Sequence, residues 1–234
     1  MNPYPLGAKP DRPDPRDYVL RVAGLPQITT DRKFYTMVDK DFRISQGYEG
    51  TCVGHAATNV LLAGPTAHPS YTHFQTEDQA HQFARRLYLE GSGDATYKQG
   101  MYSRDACAEL LEWEMVISYW RVMQVEDVIT ALLTFGPVML AIPWYESMFY
   151  GADKLAKTYG NYWVRVNLES EHVGYHALAA TGIDLDPDDG APPFIRLENS
   201  WGSNWGANGT GRLTIESFRR LNIWDNWTFA EVSF

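Results

Sequence analysis

FIRLENSWGSNWGANGTGRL spans residues 194–213. Its ends carry the branched and aromatic residues typical of strands. Between them, the thirteen residues from Asn199 to Gly211 hold four glycines, three asparagines and two tryptophans. Glycine weakens a strand interior and marks turns, so this run reads as a shaped loop joining two strands. Core packing alone rarely produces such a pattern.

The same texture extends around the loop. VMLAI (138–142), YWVRV (162–166), HALAATGI (176–183) and GRLTIES (211–217) all read as strands, with DPDDGAPP (186–193) as a turn between two of them. Further upstream the period changes to that of helices. Val53, Ala56, Ala57, Val60 and Leu61 recur at helical spacing and predict one buried face, ended by Gly64–Pro65. Thr76 and Gln79 form a capping-box pattern ahead of a helix that buries Ala80, Phe83, Ala84, Leu87 and Tyr88. A third helix is expected from Ser103, facing inward through Ala106, Cys107, Leu110 and Leu111. A fourth has Glu126 and Asp127 in its first turn, favourable to the helix dipole, and runs to Phe135 before Gly136–Pro137. The chain therefore reads as α+β, with helices first, strands second and a change near residue 125. Residues 1–26 hold six prolines and suit an extended arm lying on the surface.

Bulk properties exclude several functions. The 234 residues carry a net charge of −9, which argues against a phosphate-binding surface and hence against nucleic acid. No basic run suits an anionic membrane, and GPVMLAIPW (136–144) falls far short of the ~20 apolar residues that span a bilayer. The N-terminus lacks the apolar core of a signal peptide, so a cytoplasmic location is expected. Two cysteines make no disulfide framework and suit a reducing compartment.

One of them stands in QGYEGTCVGHAATNV (46–60), six positions after Gln46 and at the start of a helical pattern. A helix N-terminus favours a thiolate, so Cys52 is a candidate nucleophile; the competing reading is a small core residue. Cys107, on an apolar stripe, reads as core. A nucleophilic cysteine needs a base and a group to orient that base. The second half offers His172 and His176 in EHVGYHALAATG (171–182), followed by Asn199.

Gln46-Gly47, Gly50, Cys52, the GPVMLAI segment, His176-Ala177 and Asn199–Gly211 occur in an order that resembles the papain/cathepsin family of cysteine peptidases. The likeness spans about 170 residues, and the intervals from Cys52 to His176 and Asn199 approach the ~130–150 of that family. It implies a two-lobed fold, with a helical lobe and a β-barrel-like lobe around a cleft. Residues 1–38 would be the arm, 39–124 the helical lobe and 125–234 the β-rich lobe. It also implies that Cys52 attacks a peptide carbonyl, His176 moves the proton, Asn199 orients His176, and the Gln46 amide with the Cys52 N–H stabilises the oxyanion. Trp201 would cover the His–Asn bond. Gly100 and Met101 would form a wall that pairs with extended substrate, with Gly174, Tyr175 and Trp201 completing the substrate site.

Departures accompany the likeness. Glu49 stands where a disulfide cysteine is usual, and its carboxylate would oppose a thiolate. Val53 replaces an aromatic residue, and Tyr175 a small polar one. The thiol is nonetheless expected below its free pKa, because the helix dipole and His176 both favour the anion. His55 is expected to be solvated or packed near the site. His73, Glu77 and His81 share a helix face, but three ligands on one helix do not converge easily, so no metal or cofactor is expected. Asn208-Gly-Thr and Asn226-Trp-Thr are chance glycosylation patterns. The sequence reads as a thiol endopeptidase acting on protein or peptide. The alternatives are a catalytically silent peptide-binding module, a thiol transferase or deamidase, and a processing enzyme specific for one partner. Nothing in the sequence sets the oligomeric state.

Overall fold

The computed structural model describes residues 3–20, 34–36, 42–63, 74, 76–221, 223 and 225–230. Its centre is α1 (Cys52–Ala63), a helix in which all twelve residues are buried rather than one face. Helices buried all round belong to cores, and α1 earns this by lying between α2 (Glu77–Ser92) and the long strand β7 (His172–Asp184). Gly54 permits the approach: a Cβ there would press into the Ala84 carbonyl oxygen of α2. Gly64–Pro65 lie outside the described residues.

Local signals set the next helices. The Thr76 side chain accepts from the Gln79 N–H at 3.3 Å and starts α2, which buries Ala80, Ala84, Leu87 and Tyr88 while Phe83 is only half-buried. The third helix, α3 (Ser103–Glu112), buries Ala106, Cys107 and Leu110. Leu111 departs from expectation: it is 41% exposed and lines an open groove with Tyr18 and Ile117. The fourth, α4 (Val125–Thr134), is capped by Phe135.

Ten strands are described. Two short ones, β1 (Ala8–Lys9) and β4 (Met101–Tyr102), pair in parallel. The remaining eight make one sheet: β2 (Val19–Leu20), β3 (Phe34–Thr36), β5 (Ser118–Val122), β6 (Val138–Tyr145), β7, β8 (Phe194–Glu198), β9 (Thr210–Thr214) and β10 (Asn226–Ala230). Its path runs β2-β5-β10-β6-β7-β8-β9, and β3 pairs with the end of β7 beyond β6. Among the described residues no pairing joins β2 to β9, so the sheet stays open where a barrel-like lobe was expected. YWVRV forms no strand either. Trp163 and Val164 make single bridges to Arg212 and Gly151, and Trp163 is buried against Phe194. Two short helices, α5 (Asp153–Tyr159) and α6 (Ile215–Arg220), complete the second half, with α6 absorbing the end of the GRLTIES segment.

The sheet separates two apolar clusters. Met139, Ala177 and Ala179 face α1 and α3, whereas Leu140, Leu178 and Ala180 face Leu132, Leu197 and Leu213. Alternation along a strand sorts them. The arm is held from beneath by charge. Arg121, on β5 and fully buried, donates to Asp17 at 2.9 Å and to the backbone carbonyls of Asp11 and Arg12. Arg104 also pairs with Asp17, and the Asp11 N–H donates to Asp225 at 2.9 Å. Arg121→Ala would strand buried carboxylates, so we expect it to cost about 3–5 kcal/mol in urea unfolding. A loss under 1 kcal/mol would mean that the cluster behaves as a surface network.

Candidate active site

Cys52 is the first residue of α1, and His176 lies on the facing strand β7. Both are fully buried, as are Gln46 and Asn199. The His176 Nε2 and the Asn199 Oδ1 are 2.7 Å apart. The Ser200 N–H donates to that same Oδ1 at 2.8 Å, which identifies it as an acceptor. Hence Nε2 carries the proton, and the neutral imidazole keeps its lone pair on Nδ1, which has no hydrogen-bond partner among the described residues.

Aromatic rings enclose this pair. Trp201 stacks on the His176 ring at 4.4 Å, and Trp144 meets it edge-on at 5.0 Å. Gln46 is pinned at three points: its N–H donates to the Ser200 carbonyl, its Nε2 to the Glu49 carbonyl at 2.7 Å, and its Oε1 accepts from the Ser200 hydroxyl at 2.6 Å. Ser200 was not singled out by sequence, although it sits within the Asn-Ser-Trp-Gly run.

The Glu49 carboxylate turns towards Arg85 at 3.1 Å, and Arg85 lies over the Tyr97 ring. Its charge is thereby balanced. The thiol pKa nevertheless departs from expectation. Burial pushes Cys52 up to about 11, against the N–H groups of Ala177, Gly7, Val53 and Cys52 that face the sulfur. Burial also pushes His176 down to about 4, although its bond to Asn199 opposes this. With the site covered, both groups are neutral.

The cover is the N-terminal arm. Tyr4 stacks on Trp201 at 4.4 Å with the planes 7° apart. Leu6 lies over Gly174, and the Gly7 carbonyl accepts from the Met101 N–H at 2.9 Å. Gly100 has φ +75°, and a Cβ on it would press into the Gly7 carbonyl oxygen, so the wall must be glycine where the arm runs. Four of the five expected substrate-site residues, Gly100, Met101, Gly174 and Trp201, thus touch arm residues. Tyr175 lines a small cavity beside Pro10.

The wall is shaped by a carboxylate that sequence reading missed. Asp94 accepts from the N–H groups of Thr96, Lys98 and Gln99 and from the Tyr88 hydroxyl, whose oxygen accepts from the Gly100 N–H at 3.0 Å. The Thr96 hydroxyl also donates to Asp94, and this bond does most to hold the Asp94 pKa well below the usual carboxylate range. A lowered carboxylate pKa stabilises the fold above the unfolded value near ~3.9 and loses that contribution as pH falls through the folded one. Asp94→Asn should therefore lower stability to urea at neutral pH, by an amount that shrinks as the pH is lowered. A loss that does not vary with pH would mean that the carboxylate's charge plays no part in holding this loop. The Asp-x-Thr pattern was the available signal, since Asp commonly bonds the backbone two residues on.

His55 is buried and contacts His81. His73, the remaining member of the conceivable zinc set with Glu77, lies outside the described residues. Among the described residues no three His, Cys, Asp or Glu side chains are grouped to hold a metal ion.

The family model described as papain family cysteine protease matches residues 70–228. No curated protein matches the sequence. The structure is similar to that of xylellain, a cysteine protease from Xylella fastidiosa, with a TM-score of 0.69 and 17% identity over 99% of this chain and 98% of that one. It is also similar to proCathepsin B S9 from Trypanosoma congolense, with a TM-score of 0.69 and 11% identity over 98% of this chain and 87% of that one. Procathepsin L 3 of Tenebrio molitor larval midgut gives a TM-score of 0.64 and 13% identity, covering 92% of this chain and 74% of that one. Identities this low speak for the fold alone.

Proposed function

The chain belongs to the papain family of cysteine proteases, and on that premise we propose that it hydrolyses peptide bonds through Cys52, His176 and Asn199. The supporting observation is the His176–Asn199 bond, which leaves the Nδ1 lone pair as the only basic position on the ring. In this reading Nδ1 takes the Cys52 proton as sulfur attacks the substrate carbonyl, and then returns it to the leaving amine. Water, deprotonated by the same nitrogen, attacks the acyl-enzyme and frees the carboxylate product. Asn199 keeps the imidazole in one tautomer, and Trp201 keeps water from that bond. The Cys52 N–H and the second N–H of the Gln46 amide stabilise the tetrahedral oxyanion, with Gln46 held in place by Ser200 and Glu49.

The arm belongs to this proposal as a restraint. Its backbone takes the edge of β4 that an extended peptide would use, so the described state is closed to substrate.

Two measurements test the reading. Mass analysis after reaction with an epoxysuccinyl thiol-protease inhibitor should find one adduct, on Cys52, and none on Cys107, whose burial raises its pKa. Absence of an adduct from a form with a displaced arm would favour a silent peptide-binding module. Gln46→Ala should lower kcat about 100-fold with the fold intact, as loss of one oxyanion donor does. An unchanged kcat removes Gln46 from the mechanism.

A further inference from the structure

We infer that His55 and His81 are positioning residues for the Cys52 N–H, aiming it through a hydrogen-bonded relay across the Thr51–Cys52 peptide. The inference rests on the oxyanion reading above. The Thr51 carbonyl and the Cys52 N–H belong to one planar trans unit and point in opposite directions. Whatever holds the carbonyl therefore aims the N–H, which as the first of α1 has no partner within the helix.

Two groups of one residue hold that carbonyl. The His55 backbone N–H donates to the Thr51 oxygen at 3.2 Å, as in any helix, and the His55 Nδ1 lies 3.0 Å from the same atom. A carbonyl offers only lone pairs, so Nδ1 must carry a proton. Burial pushes the His55 pKa down to about 3, so the ring is neutral and its Nε2 is an acceptor. His81, from α2, places its Nδ1 at 3.0 Å from that Nε2 and must donate to it. Donation thus runs one way, from His81 to His55 to the Thr51 oxygen. Each bond polarises the next, and a carbonyl that accepts two bonds makes its amide N–H a stronger donor. Arg85 is the charged neighbour on the His81 side and opposes protonation of His55. An apolar residue would have filled the same space without leaving polar atoms to satisfy, so packing alone does not account for the pair.

The test separates this role from a structural one. In the full chain, His81→Phe should lower kcat for a peptide amide about tenfold, short of the ~100-fold loss of a whole donor, with KM little changed. Affinity for a peptide aldehyde, whose hemithioacetal carries an oxyanion, should fall in parallel. The rate of epoxysuccinyl alkylation, which forms no oxyanion, should not move. His81→Gln, whose amide can donate to Nε2, should restore kcat. If alkylation and kcat fall together, or if neither falls, the relay is overturned. Gln46→Ala keeps the two readings apart. Should it leave aldehyde affinity intact, the oxyanion assignment fails; should it weaken the aldehyde while His81→Phe does not, only the relay fails. Nitrogen-15 shifts of the His55 ring provide a measurement independent of turnover. An Nδ1–H tautomer is expected, and an Nε2–H tautomer overturns the proposal.

Discussion

Replacing His176 by alanine lowers kcat/KM for a peptide amide by about 10⁴-fold, the upper range for loss of a positioned acid–base group. The expectation follows from the ring's tautomer. With Nε2 committed to Asn199, Nδ1 is the position from which a thiol proton can be taken and returned. Asn199→Ala should do less damage, because the imidazole survives and only its orientation is freed. Urea unfolding of both variants shows whether the fold persists, and steady-state rates then decide. Activity within tenfold of wild type in a folded His176→Ala would assign the proton transfer to another group.

The second large effect concerns the arm. Gly7→Leu should expel β1, because a Cβ at Gly7 would overlap the Gly50 carbonyl, and neither backbone can yield. Re-exposed to water, Cys52 loses the burial that holds it near 11 and moves towards the free-thiol value of ~8.5. At pH 7 the thiolate fraction then rises from about 10⁻⁴ to about 3 × 10⁻², so alkylation should accelerate roughly 300-fold. The helix N-terminus can only add to this. An unchanged rate would mean that the body of the protein, not the arm, buries the sulfur.

The same shifts give the closure a pH dependence. His176 is near 4 when covered and returns towards ~6.5 when exposed, so the open form binds the extra proton as pH falls below ~6.5. Above ~8.5 the open form instead loses the thiol proton more readily. Coverage by the arm is therefore favoured most between about 6.5 and 8.5, and it weakens on both sides. Limited proteolysis of the arm should quicken between pH 7 and pH 5 in the wild type and be fast throughout in Gly7→Leu. A flat profile in the wild type would separate the titration of His176 from arm release.

Much of the architecture was readable from local chemistry. Thr76 with Gln79, Glu126 with Asp127, and the spacing of Val53, Ala57 and Leu61 each specify a helix within one or two turns of chain. The Asn199–Gly211 run marked its loop because glycine and asparagine are selected there by backbone shape. These signals act over a few residues, and sequence order preserves them. β5 was missed because SYWRV reads as neither alternating nor helical until β10 and β2 flank it. YWVRV has the composition of a strand, but its pairing stops at single bridges, Trp163 to Arg212 and Val164 to Gly151, so no ladder forms.

The chain alone thus determined the helices, the strand pair around the Asn199 loop, and the placement of Cys52 at a helix start. Tertiary structure decided the state of the site. The arm's contacts with Gly100 and Met101 are made by backbone, and backbone hydrogen bonds leave no side-chain pattern to read. The pKa of Cys52 is set by its burial, to which the arm brings Gly7, and no local charge records that. His55 meets His81 across 26 residues and two helices, at a point fixed only when Gly54 lets α1 and α2 close. Local order follows from short-range sterics and hydrogen bonds. Burial is a sum over everything that covers a group, and it exists only once the chain has closed upon itself.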